Sequence, residues 1–133
     1  MEELKKLFSI FVVDDSDFSR KMIIEILDKE GYKIVGEAGS AEEAIKHSQS
    51  LQVNLFIIDI VMPEASGIDL AKTLGEFPNP TCILMISSLT NENIIIEAIS
   101  NGANDFLKKP FEPADLIRSV DKILDYARKE KMI

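Results

Sequence analysis

The sequence is poor in residues that build several common kinds of site. It holds one cysteine among 133 residues, so no internal disulfide can form and an oxidised extracellular framework is excluded. That residue, Cys82, lies in the apolar run Cys82-Ile83-Leu84-Met85-Ile86 and suits a buried thiol in a reducing cytoplasm. The one histidine, His47, stands among polar neighbours and is expected at the surface without a phosphorelay role. Cations are in deficit, 15 Lys and Arg against 23 Asp and Glu for a formal charge of −8. Counterion release is therefore not a general driving force, and no nucleic-acid partner is expected. No apolar run approaches the roughly 20 residues of a membrane span, and the charged start Met1-Glu2-Glu3-Leu4-Lys5-Lys6 precedes no signal-peptide core. The expectation is a cytoplasmic protein without membrane insertion. With no internal repeat, low-complexity segment or linker, residues 1–133 are expected to form one domain with an ordinary hydrophobic core.

What is present is an alternation of two periods. Phe8 to Val13 is a short apolar run rich in aromatic and β-branched residues that stops at Asp14-Asp15, the pattern of a buried parallel strand. Phe18, Met22, Ile23, Ile26 and Leu27 then repeat at helical spacing until Gly31, a natural C-terminal stop. Lys33 to Ala38 reads as a second strand. Ser40-Ala41-Glu42-Glu43 spells a capping box that opens a helix to about Ser50. Leu55 to Ile58 is a third strand ending in Asp59, and Ile68 to Leu74 a helix behind the Met62-Pro63 and Gly67 loop. Cys82 to Ile86 is the fourth strand, ending in Ser87-Ser88. A fourth helix runs from about Asn91 to Asn101, a fifth strand from about Asp105 to Leu107, and Pro113 opens a last helix. Five βα units with short connections imply an α/β fold, an open parallel sheet with helices on both faces.

In such sheets ligands bind beyond the carboxyl ends of the strands. Those ends are polar: Asp14 and Asp15, Asp59, Ser87, and Lys109 just before Pro110. Three carboxylates converging on one edge repel one another unless their pKa values rise or a cation joins them. With oxygen donors only, and no His or Cys nearby, a hard divalent ion such as Mg²⁺ is the expected guest. Ser87 and Lys109 would offer a hydroxyl donor and a compact positive charge to an incoming anion. A phosphoryl group fits, and Asp59 is the carboxylate most central on the sheet, hence the candidate nucleophile.

At these residues the chain resembles the receiver domain of two-component response regulators. The resemblance spans nearly the whole chain, through Val13-Asp14-Asp15, Asp59-Ile60-Val61-Met62-Pro63 with Gly67, Ser87-Ser88, Phe106 and Lys109-Pro110-Phe111. It implies a flavodoxin-like doubly wound sheet of five parallel strands, (βα)5, in the order 2-1-3-4-5. It implies that Asp59 accepts phosphate from a histidine kinase or phosphotransfer protein. Asp15, Asp59 and the Val61 carbonyl would hold Mg²⁺, with Asp14 acting mainly through water. Ser87 matches the hydroxyl that swings toward the phosphoryl group, Lys109 the lysine that pairs with it, and Phe106 the aromatic that turns inward. Ser88 matches the small position that leaves room. The resemblance is to the stand-alone chemotaxis type, a phosphoacceptor switch rather than an enzyme with other substrates.

Two expectations concern surfaces. The fourth helix carries Ile94, Ile95, Ile96, Ala98 and Ile99, an apolar arc wider than the roughly 100° that core packing needs. Its flank near Ile95 and Ile99 is expected to meet a downstream target protein or a second copy, on the helix 4, strand 5 and helix 5 face that the family uses. Val61 and Leu89 border the route of water to the acyl phosphate, so a long-lived phosphorylated form is expected. Competing functions fit less well. A haloacid dehalogenase-type phosphohydrolase needs a second Asp where Val61 stands, a flavin or nucleotide module needs glycines where Asp14-Asp15-Ser16-Asp17 stands, and a degenerate receiver would lack Asp59, Ser87 or Lys109.

Overall fold

A computed structural model describes residues 2–133. The described elements are α1 (Glu2–Leu7), β1 (Ser9–Val13), α2 (Asp17–Lys29), β2 (Lys33–Ala38), α3 (Ala41–Ser48), β3 (Leu55–Asp59), α4 (Gly67–Gly75), β4 (Cys82–Ser87), α5 (Glu92–Ser100), β5 (Asp105–Lys108) and α6 (Pro113–Lys129). All neighbouring strands pair in parallel, in the order β2-β1-β3-β4-β5. The expected strand order and five βα units are thus present, with ends shifted by a residue or two.

Alternation along each strand divides the core into two layers. Phe11 and Val13 of β1, Phe56 and Ile58 of β3, and Ile83 and Met85 of β4 face the layer that holds Ala44 of α3, Leu70, Ala71 and Leu74 of α4, and Ala98 of α5. Ile10 and Val12, Leu55 and Ile57, and Cys82, Leu84 and Ile86 face Ile23 and Leu27 of α2 and Leu116, Val120, Ile123 and Leu124 of α6. Between their polar end residues the central strands are apolar because both of their faces are covered. Cys82 is fully buried, and burial pushes its thiol up to about 11.

Helix α1 was not expected from the sequence. Six residues are too few to display a helical period, and it is a tertiary contact that holds it. The Lys5 side chain is buried, reaches the Glu30 carbonyl at 3.3 Å and lies 5.2 Å from the centre of the Tyr32 ring.

Where the chain leaves β3, Gly67 controls its path. The Gly67 amide donates to the Ile60 carbonyl at 2.8 Å. A methyl group on Gly67 would overlap the Asp59 carbonyl oxygen and come within 2.8 Å of Ile58 Cγ2 and Ile60 Cα. The start of α4 can close over the end of β3 only because no side chain intervenes. Gly75, at the other end of α4, has no such neighbour within 4 Å. Gly67→Ala should therefore destabilise the protein by about 3 kcal/mol, and Gly75→Ala should be neutral or stabilise it by up to about 1 kcal/mol. Urea unfolding of the two variants checks this; equal midpoints would contradict it.

Candidate functional site

The carboxyl ends of β1, β3 and β4 and the segment after β5 bring their polar residues to one edge. Asp14 follows β1 and is held there by its amide, which donates to the Ala38 carbonyl at 3.1 Å. Its side chain is 1% exposed, and Oδ1 accepts a hydrogen bond from the Ser16 amide at 2.9 Å. Asp59 is the last residue of the central strand, also buried, and its Oδ1 accepts from the Val61 amide at 3.2 Å. Lys109 joins the two: Nζ lies 2.9 Å from Asp14 Oδ2 and 3.0 Å from Asp59 Oδ2. The Lys109 amide donates to the Ser87 carbonyl at 2.9 Å, which ties the lysine backbone to the end of β4. The Lys109–Pro110 peptide is cis.

Asp15 is exposed, and one oxygen from each of Asp14, Asp15 and Asp59 lies within 4.8 Å of the others. Three clustered carboxylates facing a single ammonium leave an excess of negative charge. Hard oxygen donors, one of them open to solvent, are the donor set that suits Mg²⁺. Burial is the largest influence on Asp59 and raises its pKa; Lys109 opposes this, and the nearby Asp14 charge adds to the rise. For Lys109 burial acts to lower the pKa, but the hydrogen bonds to Asp14 and Asp59 outweigh it and hold the ammonium above its ordinary value.

The remaining expected residues are distributed around this cluster. Ser87 is fully buried, and its Oγ accepts from the Leu89 amide at 2.9 Å. Ser88 is exposed, and Val61 and Leu89 expose 51% and 46% of their surface. Phe106 is half-buried against the layer that includes Ala98 and Ala103. On α5 the exposed apolar residues are Ile96 and Ile99, whereas Ile95 is half-buried. Ala98 packs into the core and Ile94 packs against the same layer, so of the expected flank Ile99 stands open and Ile95 lies at its half-buried margin. His47 is exposed, as expected. Arg20 was missed. It reads in the sequence as a solvated helix residue, yet its Nη1 donates to the Asp14 carbonyl at 2.7 Å.

A doubly wound sheet with a lysine-bridged aspartate cluster at its carboxyl edge is the form of an aspartate-phosphorylated signalling domain, and comparison with known proteins agrees. Residues 10–121 match the sequence model of the response regulator receiver domain, and the chain belongs to that family. It is 35% identical over 114 residues to chemotaxis protein CheY of Thermotoga maritima, covering 86% of this chain and 95% of that protein. Among solved structures it resembles the CheX–CheY–BeF3–Mg²⁺ complex from Borrelia burgdorferi, with a TM-score of 0.83, 30% identity, and 87% and 88% of the two chains covered. A CheY-like receiver domain from Methanospirillum hungatei gives a TM-score of 0.85 at 25% identity, over 92% of this chain and 97% of that one. The protein is a phosphorylation-activated switch of two-component signalling. Among the described residues no helix is long and apolar enough to cross a membrane.

The raised Asp59 pKa has a consequence for stability. Between the unfolded and folded values the native state binds a proton that the unfolded chain releases, so stability falls as pH rises through that window. In the absence of divalent cations, Asp59→Asn should raise the unfolding temperature at pH 7, and the gain should shrink as pH falls from the raised folded value of Asp59 towards about 4, the ordinary carboxylate value. Thermal scans across pH check this; a lower melting point for the variant at pH 7 would contradict it.

Proposed function

We propose that Asp59 is the phosphoacceptor of this switch. The observation that carries the reading is the Lys109 ammonium 3.0 Å from the Asp59 carboxylate, at the end of the central strand and beside two further aspartates. In the proposed step an Asp59 carboxylate oxygen attacks phosphorus in line. The bond from phosphorus to the imidazole nitrogen of a phosphohistidine breaks as the bond to oxygen forms, and the freed imidazole takes a proton from solvent. The donor is a histidine kinase or a phosphotransfer protein. Mg²⁺, held by Asp15, Asp59 and the Val61 carbonyl with Asp14 acting through water, would neutralise charge on the phosphoryl oxygens. Lys109 pairs with one of those oxygens. The chain supplies these groups for its own phosphorylation and dephosphorylation and acts on no other substrate.

Ser87 and Phe106 form the proposed switch. The Ser87 hydroxyl donates to the phosphoryl group, and the room it vacates admits the half-buried Phe106 ring. A preference of a few kcal/mol for the second packing is enough to change which state is populated. The small Ser88 leaves access, while the apolar Val61 and Leu89 limit the approach of water. We read residues 1–133 as one receiver domain working in the cytoplasm. Its output is carried by α5, β5 and α6 through protein contact with a downstream target, or with a second copy of the chain.

Intact mass spectrometry after incubation with acetyl phosphate and Mg²⁺ tests the acceptor. The expected result is an adduct of about 80 Da, one phosphoryl group, that is absent in Asp59→Asn and decays faster in Val61→Asn/Leu89→Asn. An adduct retained in Asp59→Asn would overturn the assignment, and unchanged decay in the double variant would overturn the role of the apolar pair. For the output face, Ile96→Lys/Ile99→Lys should still accept phosphate but lose phosphorylation-dependent association with its target or with itself. Association at wild-type strength would remove α5 from the signalling surface.

A further inference from the structure

Arg20 stands in the first turn of α2, and its side chain is only 12% exposed. All three nitrogens of its guanidinium are engaged, each with a different partner. Nη1 donates to the Asp14 carbonyl at 2.7 Å, Nε to Glu37 Oε1 at 2.8 Å, and Nη2 to Asp17 Oδ1 at 2.6 Å. Glu37 belongs to β2 and Asp17 opens α2, so the planar fork spans the edge strand, the helix start and the loop that leads from β1 into α2. Only an arginine offers donors in three directions from one rigid plane.

The contact with Asp14 matters most. The peptide unit is planar, so fixing the direction of the Asp14 carbonyl fixes the amide and Cα of Asp15 as well. On its other side Asp14 is held by the hydrogen bond that its own amide donates to the Ala38 carbonyl. Asp15 needs this support. Among the described residues its carboxylate takes part in no hydrogen bond or ion pair, so the only restraint on its place is the position of its backbone.

We propose that Arg20 is a positioning residue: by clamping the Asp14–Asp15 peptide it keeps the two carboxylates within common reach of a divalent cation. The inference rests on reading the aspartate cluster as a Mg²⁺ site. It makes a prediction of opposite sign to simple electrostatics. A guanidinium near the cluster repels a cation, so removing its charge should tighten Mg²⁺ binding if charge is all it contributes. If it positions the peptide, removing it should weaken binding.

Calorimetric titration of the full chain with Mg²⁺, without any phosphodonor, decides between these. Asp15→Asn should abolish binding, and Arg20→Gln should weaken it about ten-fold, the scale at which groups that orient metal ligands act. Arg20→Lys keeps the charge but offers one nitrogen in place of three, and should weaken binding several-fold. It also carries the test if Arg20→Gln does not fold. Melting temperatures measured alongside separate a purely structural role, which would lower stability and leave the affinity of the folded protein unchanged. Equal or tighter Mg²⁺ binding by the Arg20 variants, with Asp15→Asn inactive in binding, would overturn the role of Arg20 alone. Undiminished binding by Asp15→Asn would overturn the metal site and this inference together.

Discussion

The bridge from Lys109 to Asp14 and Asp59 is the interaction on which the rest of the site depends. Two buried carboxylates this close would be costly to keep ionised without a cation between them. Lys109 supplies that cation from the far end of the chain, 95 residues from Asp14 and 50 from Asp59. The bridge therefore closes only when β1, β3 and β5 are all in the sheet. A folded receiver and an assembled acidic cluster are the same event.

Around that bridge the fold leaves each polar group a distinct task. Asp14 is fully sequestered and fixed at several atoms, Asp59 keeps one oxygen on the Val61 amide and the other on Lys109, and Asp15 remains in solvent. Gly67 makes the arrangement possible from behind, because α4 starts against the Asp59 peptide itself. Arg20 fixes the loop from the opposite side. Charge at this edge is held by partners at Asp14, Asp59 and Lys109, and the rim is apolar where Val61 and Leu89 are exposed.

Much of this was legible in the sequence because the strands are buried on both faces. Such strands read as unbroken apolar runs, and their abrupt ends at Asp14, Asp59 and Ser87 mark the functional edge. Lys109 was legible from its place before Pro110-Phe111. What escaped the sequence depended on tertiary geometry. Helix α1 is too short to show a period and is held by Lys5 against Glu30 and Tyr32. The apolar exposure on α5 extends to Ile96, since a run of isoleucines does not reveal its own rotation until Ala98 is seen to pack inward. Arg20 gave no signal, because an arginine in a first helical turn is ordinarily solvated and its bond to a backbone carbonyl leaves no trace in composition.

Lys109 holds down the pKa of the Asp59 carboxylate, which burial pushes up, and the site depends on that balance. Carbon-detected NMR titration of Asp59, in the wild type and in Lys109→Met without divalent cations, measures this directly. The account predicts that Asp59 titrates above the ordinary aspartate range in the wild type and higher still in the variant. The same midpoint in both proteins, or an ordinary value in the wild type, would contradict it.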